Sequence, residues 1–210
     1  MNTKGTVYLL DDEPKMVKAL TRLLTAEDFT VHGFTSVENF LDGGRSDEPS
    51  CLVLDVAMPE LSGLDLQQRL AQDGILLPIV FLTGRGDIPM SVQAIKAGAV
   101  DFLTKPVQDA DLLRAVNAAL ERAAEQREAI TEMASLRQRL ANLTPREREV
   151  MEHVVAGRLN KQIAAELGIG EHTIKVHRSR VKKKMAVQSV AELVRAAARL
   201  GVGKSVINGE

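Results

Sequence analysis

The 210-residue chain, 45% hydrophobic and 26% charged, is long enough for two globular domains and has none of the bias of a disordered or fibrous protein. Its single cysteine, Cys51, excludes a disulfide framework and fits a reducing cytoplasm, and no apolar run approaches the roughly 20 residues that span a bilayer or forms the core of a signal peptide. The net charge of −1 hides an asymmetry: residues 1–143 hold 14 Lys/Arg against 21 Asp/Glu, and residues 144–210 hold 13 against 7, so the front is acidic and the back is a candidate for polyanion binding.

In chain order, the first part alternates short apolar runs with helical patterns. Strands are expected at Thr6–Leu10, Thr30–Phe34, Leu52–Leu54, Ile79–Leu82 and Val100–Leu103, and helices at Pro14–Ala26, Val37–Leu41, Leu64–Ala71, Ile88–Ala97 and Asp111 to about Glu121. Ser36 and Asp87 are the expected caps of the second and fourth of these helices. Five β-then-α units imply a doubly wound parallel sheet with helices on both faces.

From Glu121 to Leu143 neither Pro nor Gly interrupts a run of helix formers. Met133, Leu136, Leu140 and Leu143 are spaced 3, 4 and 3, which suits a helical linker packed on its own domains or a short coiled coil. Thr144 with Glu147 makes a capping box, with Pro145 at the first helical position. That helix runs to about Ala156. Asn160 is read as the cap of a second helix reaching Leu167, and Gly168-Ile169-Gly170 as a tight turn. A third helix spans Glu171–Met185, and a fourth opens at Ser189 with Glu192 as a capping box and stops at Gly201. The domains expected are 1–121, a linker at 122–142, an all-α four-helix domain at 143–204 and a flexible tail at 205–210.

In open parallel sheets, chemistry sits beyond the carboxyl ends of the strands. Those ends carry Asp11 and Asp12, then Asp55, then Thr83-Gly84, then Lys105-Pro106. Singly, each reads equally as a turn, a loop or a strand end. Together they place three carboxylates where Mg²⁺ would relieve their repulsion, and the ligand set is hard oxygen rather than Cys or His. One carboxylate can accept a phosphoryl group, with Lys105 and Thr83 neutralising and hydrogen-bonding its oxygens.

The segments Leu10-Asp11-Asp12-Glu13, Leu54-Asp55-Val56-Ala57-Met58-Pro59, Leu82-Thr83-Gly84 and Asp101-Phe102-Leu103-Thr104-Lys105-Pro106 resemble the receiver domain of two-component response regulators. The stretch Gly86-Asp87-Ile88-Pro89-Met90-Ser91 resembles the FixJ branch. The resemblance implies that Asp55 is the phosphoacceptor and that Asp12, Asp55 and the Ala57 carbonyl bind Mg²⁺ or Mn²⁺ with Asp11 close by. It further implies that Thr83 and Phe102 switch and that Lys105 pairs with the phosphoryl group. Ala57 and Arg85 line the expected pocket mouth.

In the third C-terminal helix, Ile174, Val181 and Met185 form a core stripe, and Lys175, Ser179 and Lys182 lie elsewhere. This suits a recognition helix or a solvated basic helix. Leu143-Thr144-Pro145-Arg146-Glu147, Asn160-Lys161-Gln162-Ile163-Ala164 and Thr173-Ile174-Lys175-Val176-His177 resemble the LuxR-type helix-turn-helix domain. By that resemblance Lys175, Val176 and Ser179 reach base edges, and Thr173, Asn160, Lys161, Arg178 and Lys182 lie by phosphates. Gly170 departs from the hydroxyl cap common in the family.

Together these resemblances imply a DNA-binding response regulator of the FixJ/NarL type. A sensor histidine kinase would phosphorylate it, it would dimerise on phosphorylation, and its partners would be promoter DNA and RNA polymerase. It would be cytoplasmic, without membrane contact, and no enzyme beyond self-phosphorylation and autodephosphorylation. Two rivals are a haloacid-dehalogenase-type enzyme, which wants an acid where Ala57 stands, and a DNA-binding protein with a degenerate receiver, against which Asp12, Asp55, Thr83 and Lys105 argue.

Overall fold

The computed structural model describes residues 4–44, 46–59, 61–84 and 88–202, with the Ile88 side chain left aside. The expected Asp87 cap, the pocket-mouth role of Arg85, Gly86 of the FixJ-like stretch and the tail beyond residue 202 lie outside these residues. Two compact units divide the chain, residues 1–128 and 129–210.

The first unit is built on β1 (Thr6–Leu10), β2 (Thr30–Phe34), β3 (Ser50–Asp55), β4 (Ile79–Thr83) and β5 (Asp101–Thr104), all parallel in the order β2-β1-β3-β4-β5. Between and after them come α1 (Pro14–Ala26), α2 (Val37–Asp42), α3 (Gly63–Gln72), α4 (Ile88–Lys96) and α5 (Asp109–Ala141). Strand side chains alternate between two cores. Val7, Leu9, Val53, Val80 and Leu82 pack with Leu20 and Leu24 of α1 and Leu112 and Val116 of α5. Tyr8, Leu10, Leu52, Leu54 and Phe81 pack with Phe40 of α2, Leu66 and Leu70 of α3 and Ala94 of α4. Cover on both faces explains why β3 and β4 read as unbroken apolar runs. The edge strand β2 is only half-buried.

Two local devices shape the region around Asp55. The Ser62 hydroxyl caps α3 by accepting the Asp65 N–H. Gly63, next in the chain, lies so close to the strand that a Cβ there would stand 2.6 Å from the Asp55 carbonyl oxygen, a contact only glycine avoids.

The helical stretches at 111–121 and 121–143 are one 33-residue helix, α5. With no Pro or Gly in the run, nothing in the backbone stops it.

In the second unit Leu136 and Leu143 are buried and Leu140 is half-buried in a core with α6 (Pro145–Val155), α7 (Asn160–Leu167), α8 (Glu171–Met185) and α9 (Val190–Leu200). The heptad-spaced leucines thus pack on their own unit. Arg199 forks onto Glu132, and Arg139 donates to the Met185 carbonyl, tying the end of α5 to α9 and α8.

The capping box of α6 is formed: the Thr144 hydroxyl accepts the Glu147 N–H, and the Glu147 carboxylate accepts the Thr144 N–H at 2.9 Å. Two other caps differ from expectation. Leu159, not Asn160, is the residue before α7; its N–H donates to Gln162, while Asn160 lies inside the first turn. At α9 the Ser189 hydroxyl accepts the Glu192 N–H as expected, but the Glu192 carboxylate returns to the N–H of Gln188 rather than of Ser189. Gly168, with φ 65°, turns α7 towards α8.

Glu147 is 3% exposed, and beyond its capping role it meets Lys184 of α8 at 2.6 Å. Lys184 also donates to the Asn142 carbonyl. The Lys184 hydrogen bond first, then the Thr144 N–H, hold the Glu147 carboxyl below its ordinary value of 4.5. A carboxyl depressed on folding contributes stability above its unfolded pKa and loses it as pH falls through the folded one. Glu147→Gln should therefore destabilise the second unit at pH 7 by about 1–2 kcal/mol, a modest figure because the Lys184 side chain is partly solvated. The deficit should shrink once the pH is well below 4.5. Urea melts of the full chain, read by amide protection in α6 and α8, measure this; an equal deficit at both pH values would contradict the ion pair's role.

Candidate functional site

Strand register assembles the first site. Leu10 pairs with Leu54 and Asp55 with Leu82, so Asp11 lies level with Asp55 on the neighbouring strand. Thr83 pairs with Thr104, which brings Lys105 to the same rim. From β1 the chain goes to β2 on one side and β3 on the other. The crevice at that reversal, beyond the carboxyl ends of β1 and β3, is where open α/β sheets bind ligands.

Ligand oxygens of Asp11, Asp12 and Asp55 lie within 4.8 Å of one another. Asp11 is 0% exposed and Asp55 4% exposed; Asp12 is half-buried. Lys105 Nζ donates to Asp11 Oδ2 at 2.7 Å and stands 3.2 Å from Asp55 Oδ1. The second contact brings the charges together without the alignment of a hydrogen bond, so Asp55 Oδ1 is buried with no directed donor among the described residues. Asp11 uses both oxygens internally, since Oδ1 accepts the Glu13 N–H.

Burial pushes the Asp55 carboxyl up; the nearby Lys105 ammonium pulls it back, the Asp11 charge pushes it up again, and the balance stays above the ordinary value. Burial alone would lower the Lys105 ammonium, but Asp11 and then Asp55 outweigh it and hold it protonated.

The acidic cluster fits a hard divalent cation. Asp12 is half-exposed and Asp55 keeps an oxygen with no directed donor, so both can ligate. Asp11, bound to Lys105 and Glu13, supports from behind. Ala57 is exposed at the strand end, where its backbone N–H helps to lower the Asp55 carboxyl. Thr83 is buried at the end of β4, and the Phe102 ring sits 6.1 Å from that of Phe81, half-buried on β5.

The second site is α8. Ile174, Val181 and Met185 are buried, while Thr173, Lys175, Val176 and Ser179 are exposed. Arg180 and Lys183 are exposed as well, two bases that sequence reasoning passed over although helical spacing puts Lys183 in line with Val176. Three residues expected beside phosphates have internal partners: Arg178 donates to Asn160 Oδ1 at 2.7 Å, and Lys182 donates to the Gln188 carbonyl at 3.3 Å. The Arg178–Asn160 bond fixes α7 against α8. Lys161 is exposed on the first turn of α7.

Residues 7–117 match the family model described as the response regulator receiver domain, and residues 141–197 match that of the bacterial regulatory proteins of the luxR family. Nodulation protein W of Bradyrhizobium diazoefficiens is 47% identical over 201 residues, covering 96% of this chain and 88% of that protein. The transcriptional regulatory protein FixJ of the same species is 42% identical over 204 residues, covering 96% and 98%. Among solved structures, the response regulator StyR superposes with a TM-score of 0.82 at 42% identity, covering 92% of this chain and 98% of that one. With both halves matched and relatives aligned over nearly their whole length, the chain belongs to the two-component response regulators that join a receiver domain to a LuxR-type DNA-binding domain.

Proposed function

We propose that Asp55 accepts a phosphoryl group from a sensor histidine kinase, and that this drives pairing of the receiver and promoter binding by α8. The observation that carries the reading is the buried cluster at the switch point: three carboxylates within 4.8 Å, with Lys105 at 2.7 Å from one and 3.2 Å from another. In the transfer, an Asp55 oxygen forms the new P–O bond as the P–N bond to the donor imidazole breaks, its electron pair staying on the imidazole nitrogen. Lys105 faces the incoming charge, and the Thr83 hydroxyl turns to a phosphoryl oxygen. Asp12, Asp55 and the Ala57 carbonyl would hold Mg²⁺ or Mn²⁺, which supplies positive charge for the phosphoryl oxygens.

Incubation with Mg²⁺ and acetyl phosphate should place one alkali-labile phosphoryl group on the chain, and Asp55→Asn should remove it. Retained labelling in Asp55→Asn overturns the assignment. Lys105→Ala should lower the labelling rate at least tenfold, by loss of a charge aimed at the phosphoryl group.

On α4, Val92 and Ile95 are 46% and 47% exposed and three residues apart, an apolar pair that a second receiver would cover, with Lys96 beside them. Thr83 and Phe102, beside this helix, are the residues that would reset it. Sedimentation with a beryllofluoride mimic should double the mass, and Ile95→Glu should keep it single. Unchanged mass in the unsubstituted protein contradicts phosphorylation-driven pairing.

In DNA binding, Lys175, Val176 and Ser179 would meet base edges, with Thr173 and Lys161 on the phosphate side and inverted half-sites about one helical turn apart. Lys161 is a cleaner phosphate probe than Lys182, whose ammonium holds the Gln188 carbonyl. Lys175→Ala should erode the preference for operator over scrambled DNA by roughly 1–3 kcal/mol. Lys161→Ala should weaken both alike and flatten the salt slope by about one unit. A salt titration of both variants measures this; equal losses on both duplexes for Lys175→Ala reject base reading.

A further inference from the structure

Of the six Lys and Arg side chains on α8, three are held by internal partners: Arg178 by Asn160, Lys182 by the Gln188 carbonyl and Lys184 by Glu147. The other three, Lys175, Arg180 and Lys183, are exposed and make no hydrogen bond or ion pair among the described residues. The buried stripe of Ile174, Val181 and Met185 fixes the side of the helix on which each of them lies. Opposite that stripe runs an exposed ridge of Val176, Ser179 and Lys183, spaced three and four residues apart. With 3.6 residues per turn, Lys175 and Arg180 stand about 140° apart around the axis and flank the ridge on opposite sides. Arg180 also sits about 7.5 Å further along the axis, roughly two base-pair steps.

We propose that Arg180 reads a guanine on the flank of α8 opposite Lys175, and so fixes a further base pair in each half-site. This rests on the reading of α8 as the helix that enters the major groove. That groove is about 12 Å wide, so a helix seated in it offers both flanks to base edges. Ser179 beside Arg180 is short, which leaves the ridge low where the guanidinium lies. The planar fork matches the guanine O6 and N7, two donors for two acceptors, a pairing that the point charge of a lysine holds less rigidly. Arg178 and Lys182 do not compete for the same edge, because each is tied to its own unit. Lys183 lies three residues nearer the end of α8 and carries only a point charge, which suits a phosphate.

The test uses the full-length chain with Mg²⁺ and beryllofluoride. Selection from random duplexes gives its preferred sequence, and binding is then measured on every single base-pair variant of that sequence. The unsubstituted chain should demand a G·C pair roughly two steps from the pair that Lys175→Ala releases. Arg180→Ala should cut the preference at that pair from about tenfold or more to near parity and leave the other positions as they were. Arg180→Lys should keep its affinity for scrambled DNA and still lose the guanine preference, which separates the fork from the charge. Lys183→Ala should weaken binding to all sequences alike. Unchanged amide protection in α8 shows that each variant is folded. If Arg180→Ala lowers binding to every duplex equally, as Lys183→Ala does, or if Arg180→Lys retains the guanine preference, the proposal is overturned. Should Lys175→Ala still release its own pair in that case, α8 reads bases and only the role of Arg180 fails. A chain that selects no sequence at all overturns both readings.

Discussion

Everything at this rim of the first unit depends on one ammonium among three carboxylates. Asp11, Asp12 and Asp55 come together because strand register leaves them no alternative, and their mutual repulsion would otherwise push β1 and β3 apart. Lys105 answers it by spanning from the end of β5 to the ends of β1 and β3. The bond is asymmetric: it is fully made to Asp11 and only electrostatic to Asp55. Asp11 is saturated, and Asp55 keeps an oxygen in reserve.

The second unit uses the same chemistry for a different end. Glu147 and Lys184 join the start of α6 to the end of α8, and Arg178 with Asn160 joins α8 to α7. Polar bonds around the rim of an apolar core hold α8 in one rotation, so Lys175, Val176 and Ser179 face outward as a set. Fixing that rotation matters more for reading DNA than the number of positive charges, because base edges reward geometry and phosphates reward charge.

Much of this was legible in the sequence because it is local. An acid after an apolar run marks a strand end, and all five strands lie where the runs predict, with β3 extending through Asp55 itself. Ser36, Thr144 and Ser189 cap helices because a short hydroxyl there has an N–H within reach. What local patterns do not encode is partner choice across long separations. Nothing in the sequence tells that Arg178 and Lys182, basic residues on a basic helix, spend their charge on Asn160 and on the Gln188 carbonyl. The helical stretches expected at 111–121 and 121–143 join without a break into α5, because no Pro or Gly stands between them to stop a helix.

The two-faced burial of β3 has a consequence for how such a protein can change over time. Because its side chains alternate between two cores and the last of them is Asp55, inserting or deleting one residue within the strand would turn every apolar group to the wrong face and rotate the carboxylate out of the crevice together. Only the loops that follow the strands can change length without that cost, and the Asp55 carboxylate inherits the indel intolerance of the hydrophobic core.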